Sequence, residues 1–202
     1  MRLVLASSNP GKLREFAALL APLHVELIPQ DALGIRPAPE TGTSFQANAI
    51  LKARHAARHS GLAALADDSG LEVDALGGRP GVWSARFAGE HASDADNLNR
   101  LLLELEEVPD AARQARYQCV IACLRAAADP APLIASGTWE GHIVRTPAGE
   151  NGFGYDPVFV PSGETRTAAQ LAAQEKNAVS HRAQALQALV AGLVREGYIA
   201  AS

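Results

Sequence analysis

An α/β protein with a mixed central β-sheet flanked by helices is what this 202-residue chain predicts, on three observations. Short apolar runs and helical repeats alternate through the first half. Two long strand-like stretches follow one another across a turn in the second half, and a helical repeat closes the chain. The alternation implies parallel strands joined by helices, and the late pair adds antiparallel pairing.

Taken in order, Leu3 to Ala6 is a short apolar run that reads as a buried strand. Leu13, Phe16, Ala17 and Leu20 then recur at helical spacing, and Pro22 closes that helix. A strand around Val25 to Ile28 leads into a proline- and glycine-rich loop, Pro29 to Gly42. Thr43 and Gln46 form a capping box for a helix running to about Ser60. A strand ending at Asp67 follows, then a separate run from Leu71 to Ala75 and a glycine-rich turn. Ser93 and Asp96 open a third helix whose Leu98, Leu101, Leu102 and Leu105 make an apolar face. Arg116 to Arg125 and Pro132 to Val144 flank the turn Ala128-Asp129-Pro130 as a hairpin would. Ser180 caps a last helix with Ala183, Leu186, Val190 and Leu193 inward. With no repeat and no linker, the reading is one domain over 1–202.

Net charge is −4, so no broad positive field invites nucleic acid, and an anionic ligand has to be captured locally. Cys119 and Cys123 share a strand face roughly 13 Å apart, beyond the ~7 Å that a disulfide tolerates. They read as two buried thiols in a reducing compartment. The opening apolar run is too short for a signal peptide and no other run could span a bilayer, so the cytoplasm is expected.

Five segments could carry chemistry. Ser7-Ser8-Asn9-Pro10-Gly11-Lys12 joins a strand to a helix, where backbone amides and the helix dipole suit a phosphate. The segment departs from the P-loop pattern at Ala6 and Leu13, so a capped turn with a solvated lysine stays open beside the phosphate reading. On the second helix, Asn48, Lys52 and His55 form a polar stripe beside the apolar face of Phe45, Ala49, Ala53 and Ala56. His55 and His59 have metal spacing, but no third ligand is near in sequence, and they read as a solvated face.

Asp67 and Asp68 are adjacent carboxylates after a strand, where α/β proteins place ligands. With Glu40 they could offer oxygens to Mg²⁺, which takes a few carboxylates plus water and substrate phosphates. A turn whose aspartates bond their own backbone is the plainer alternative. Gly152-Phe153-Gly154-Tyr155-Asp156-Pro157 places glycines on both sides of an aromatic, letting the backbone approach a flat ligand. Lys176 with Ser180-His181-Arg182, read as the start of the last helix, puts cations against the dipole there, a placement that points to function.

In this order the segments resemble the inosine triphosphate pyrophosphatase family, enzymes that clear damaged nucleoside triphosphates. The resemblance runs from Leu3 to about Leu189 and also rests on Glu40-Thr41-Gly42, Asn48 to Ala53, Ala66 to Gly70 and Gly77 to Gly81. It implies two lobes with a cleft, a cytoplasmic homodimer, and Mg²⁺-dependent cleavage of ITP, dITP and XTP to monophosphate and pyrophosphate. It further implies Asp68 as proton acceptor and metal ligand, with Glu40 and Asp67 beside it. Ser7, Ser8, Asn9, Pro10, Gly11, Lys12 and Lys52 would hold the triphosphate. Ser69, Phe153, Gly154, Tyr155, Asp156, Lys176, His181 and Arg182 would line the nucleoside end. Two other readings compete: a non-catalytic nucleotide-binding regulatory module, and a pyrophosphatase for another modified nucleotide. Nucleic-acid and membrane partners are not expected.

Overall fold

A computed structural model describes residues 2–21 and 25–197; the closure at Pro22 lies outside them. The elements are β1 (Arg2–Leu5), α1 (Pro10–Leu20), β2 (Glu26–Pro29), α2 (Phe45–Ser60), β3 (Ala64–Val73) and α3 (Asp94–Glu104). They continue with β4 (Gln114–Leu124), β5 (Leu133–Ile143), β6 (Phe159–Pro161), α4 (Ala173–Val179) and α5 (His181–Arg195). Among the described residues the strands form one six-stranded sheet, ordered β2-β1-β3-β4-β5-β6. β1 runs parallel to β2 and to β3, with Val4 opposite Ile28 and Ala64, whereas β5 and β6 are antiparallel. The mixed sheet is therefore as the alternation implies.

Two compact units are distinguished. Residues up to Asp68, Cys119–Gly137 and those from Arg182 on form the first; Ser69–Gln118 and Thr138–His181 form the second. In the first unit, alternation along β1, β3 and β4 sends successive side chains to opposite faces. Leu3, Leu5, Leu65, Cys119 and Ile121 pack with Phe16 and Leu20 of α1 and Leu186 and Leu189 of α5. Val4, Ala64, Ala66 and Ala122 pack instead with Ala49, Ala53 and Ala56 of α2, whose small side chains let that helix lie close. Both cysteines are buried free thiols on the first of these faces, and burial pushes each up to about 12. In α5, Leu189 is fully buried and Val190 only partly so, a small rotation from the expected face.

The second unit has its own core, in which Leu98 and Leu101 of α3 and Leu105 at its C-terminal cap meet Leu71, Tyr117, Trp139 and Phe159. Ser93 and Asp96 open α3 as expected, and they do so through a capping box. Among the described residues, no helix is long and apolar enough to cross a membrane.

Three expectations change. The cap of α2 is Ser44, not Thr43: its hydroxyl accepts from the Ala47 amide, while the Gly42 amide donates to Asn48 Oδ1 at 2.7 Å and fixes the chain one residue back. The two runs around Asp67 and Leu71 are one ten-residue strand, so the acidic pair lies inside β3 rather than at its end. Lys176 belongs to a separate short helix, α4, and sits in its last turn, where the dipole favours a cation.

Candidate active site

Because Asp67 and Asp68 are neighbours inside a strand, their side chains leave on opposite faces. Each inherits the helices of its own face. Asp67, 1% exposed, shares Leu65's side and meets α1 and α5: its Oδ2 lies 2.9 Å from Lys12 Nζ and 3.5 Å from Arg182 Nη2. Glu15, one turn beyond Lys12, holds the same Arg182 guanidinium through Nη1. Burial alone would raise the Asp67 carboxyl, but Lys12 and Arg182 outweigh it and hold the group well below the usual range.

Asp68 shares Ala66's side and meets α2. Its Oδ1 accepts from Lys52 Nζ at 2.7 Å, and its Oδ2 accepts from Asn48 Nδ2 at 3.1 Å. The Lys52 ammonium also reaches Glu40 Oε1, at 2.8 Å, so two carboxylates share one cation. Burial raises Asp68 and outweighs the opposing Lys52 charge, with Glu40 adding to the rise. Burial would lower Lys52, yet Asp68, Asp67 and Glu40 together turn its shift upward. Asp68 is thus a pinned carboxylate whose proton affinity exceeds that of an ordinary aspartate.

Among the described residues, no three or more His, Cys, Asp or Glu side chains gather into a metal cage. Glu40 and Asp68 nevertheless converge on a single positive charge and offer hard oxygens. That donor set fits Mg²⁺, which is bound by one or two carboxylates and completed by water and phosphate oxygens. Asp67 faces Lys12 and Arg182 rather than Lys52. His55 Nε2 lies 2.9 Å from the Arg36 carbonyl and His59 Nδ1 2.8 Å from that of His55, as a solvated helix face allows.

At Ser7 to Lys12, Asn9 caps α1: its Oδ1 accepts from the Gly11 and Lys12 amides at 2.8 and 3.1 Å, and Pro10 opens the helix. The amides that the sequence offered to phosphate are therefore already engaged by Asn9. What this turn presents are the Ser7 and Ser8 hydroxyls and Lys12; Ser8 Oγ donates to Asp31 at 3.0 Å and accepts from Gln30.

In the second unit, Asp156 organises the glycine-flanked loop. Its Oδ2 accepts from Lys176 Nζ at 2.7 Å and from the Phe153 amide at 2.9 Å, and Lys176 Nζ lies 4.9 Å above the half-buried Phe153 ring. The Gly154 amide donates to Asp94, and the Tyr155 hydroxyl is anchored on the Ser84 carbonyl at 2.8 Å. His181 is buried and stacks on Tyr117. Ser69 is half-buried on β3.

Gly152 has φ +76°, and a Cβ there would sit 2.0 Å from Asp156 Oδ2. Gly152→Ala is expected to lose about 2 kcal/mol or more of stability in urea unfolding, from backbone strain and the displaced carboxylate. Wild-type stability would show that the loop has another conformation.

Sequence reasoning missed Glu15 and Tyr117. Glu15 could have been found from its i, i+3 spacing to Lys12; Tyr117 carries no local signal.

A model of the Ham1 family matches residues 3–192. A dITP/XTP pyrophosphatase of Shigella flexneri is 55% identical over 192 residues, covering 95% of this chain and 98% of the relative. The enzyme of the same name from Escherichia coli K12 is 53% identical over the same shares. Among solved structures, a HAM1 protein from Coxiella burnetii superposes with a TM-score of 0.89 at 51% identity, covering 96% of this chain and 99% of its own. The Ham1 protein of Staphylococcus aureus gives 0.85 at 39% identity, covering 97% and 100%.

Proposed function

Because the chain belongs to the Ham1 family, we infer that it is a nucleoside-triphosphate pyrophosphatase that hydrolyses non-standard purine nucleotides. dITP, XTP and ITP yield the monophosphate and pyrophosphate, which removes damaged nucleotides from the pool. Within the chain, the carrying observation is Asp68, pinned by Asn48 and Lys52 with Glu40 on the same ammonium.

The residues divide the work. Ser7, Ser8, Asn9 and Lys12 with Lys52 take the triphosphate, the two ammonium groups balancing its charge. Glu40 and Asp68 would hold Mg²⁺, which when bound would neutralise charge on the phosphate oxygens. Asp68 orients a water through one oxygen and accepts its proton as the water oxygen bonds to the α-phosphorus. The bond from that phosphorus to the bridging oxygen breaks, and pyrophosphate leaves with the oxygen. Asp67 keeps Lys12 in place, and Arg182, anchored by Glu15, continues to balance Asp67 when Lys12 turns to phosphate.

Ser69, Phe153 to Asp156, Lys176 and His181 take the nucleoside end. Inosine and xanthine carry an acceptor oxygen at the purine 6-position, where adenine has an amino group. Lys176 and His181 can donate to that oxygen, whereas an amino group would face donors, and a mismatched polar group can discriminate by up to about 10⁴. On this assignment residues 1–202 make a single two-lobed domain. A homodimer in the cytoplasm completes it, in keeping with two buried free thiols.

A panel of dITP, XTP, ITP, ATP and dCTP, with products identified by phosphorus NMR, tests the assignment. Pyrophosphate from the deaminated purines is expected, with ATP and dCTP poor substrates. Orthophosphate as the product would overturn it, and a preference for dCTP would redirect it to another nucleotide class.

A further inference from the structure

Tyr117 lies on β4 in the second unit, 7% exposed, in contact with one proposed base-recognition donor, His181, and with the carboxylate of Asp156 that holds the other, Lys176. Its ring is stacked on the His181 imidazole, centroids 4.7 Å apart and planes within 9°. Phe159 meets the Tyr117 ring edge-on at 4.8 Å, and Trp139 lies 6.4 Å from His181 at 21°, so the stack is held within a packed aromatic group. The Tyr117 hydroxyl donates to Asp156, the same carboxylate that holds Lys176 Nζ at 2.7 Å and the Phe153 amide at 2.9 Å. A buried tyrosine hydroxyl needs a partner, and here the partner is the carboxylate that also holds Lys176.

We propose that Tyr117 is a positioning residue for purine selectivity: it fixes the plane of His181 by stacking and the direction of Lys176 through Asp156. Two donors on separate elements then converge with one geometry on an acceptor at the purine 6-position. The proposal rests on the assignment of Lys176 and His181 to the base. Adenine gains nothing from the arrangement, because its 6-amino group cannot accept.

Kinetics with dITP and ATP on Tyr117→Phe and Tyr117→Leu test it. Phenylalanine keeps the ring and removes the hydroxyl, so KM for dITP should rise about fivefold with kcat unchanged. Leucine also removes the stack, and the rise should reach about thirtyfold. KM for ATP should stay constant in both, so the dITP preference falls by the same factors. In proton NMR the ring-current shift of the His181 ring protons should persist in the phenylalanine variant and fall sharply in the leucine variant, where Trp139 still faces that ring. Tyr117→Phe carries the test if the leucine variant fails to fold. Wild-type KM for dITP in Tyr117→Phe, or equal losses on dITP and ATP, would overturn the proposal. A parent enzyme with no dITP preference would instead bring down the functional reading, and the inference with it.

Discussion

The Asp68→Asn protein is expected to bind dITP yet turn it over about a thousandfold more slowly, since removing a positioned general base typically costs 10²–10⁴ in rate. Asparagine keeps the volume of Asp68 and offers an oxygen to Lys52, whose ammonium lies 2.7 Å from Oδ1 in the parent. It cannot take a proton from water, and its amide group would meet the Asn48 Nδ2 donor that now serves Oδ2 at 3.1 Å. The fold should survive. Asp68 is raised by burial, so its neutral form, which asparagine imitates, is the one folding prefers. Pyrophosphate release read beside calorimetric binding of dITP separates the two effects. More than a tenth of parental turnover would remove Asp68 from the role of proton acceptor.

That this carboxylate could be singled out at all reflects what a sequence does and does not carry. The alternating elements, the helix start at Ser93 and Asp96 and the cysteine face were legible, because each depends on residues close together in the chain. Asp67-Asp68-Ser69-Gly70 looked like a strand end because aspartate, serine and glycine are poor strand formers. β3 nevertheless continues through them, since Lys12, Lys52 and Arg182 arrive from three distant helices to balance the buried charges. The different duties of Asp67 and Asp68 follow from strand alternation once the strand is known to continue. At Ser7 to Lys12 the sequence left a capped turn and a phosphate site both open, and the structure shows the cap: Asn9 accepts from the Gly11 and Lys12 amides itself. Tyr117 stayed hidden because its partners, Asp156 and His181, are far along the chain.

Lys52→Met should convert the Glu40–Asp68 pair into a site whose stability depends on added metal. The side chain of Lys52 is 11% exposed and bridges both carboxylates, at 2.8 and 2.7 Å. Methionine fills similar space and brings no charge, so two carboxylates remain face to face with their counter-ion gone. Breaking a largely buried ion pair by removing one partner costs about 3–5 kcal/mol, discounted here toward about 3 because Glu40 is partly exposed. For a chain of this size that corresponds to a fall in Tm of about 10 °C in the presence of EDTA. Mg²⁺ binds the folded pair and not the unfolded chain, so at about a hundred times its Kd it should restore roughly 2.7 kcal/mol. Na⁺ at equal ionic strength should restore little, which separates coordination from screening. The parent protein should respond much less, since Lys52 already supplies the positive charge that the metal would bring. A melting temperature in the variant indifferent to Mg²⁺ would mean that Glu40 and Asp68 do not hold the ion. Proton acceptance by Asp68, tested separately through turnover, would not fall with it.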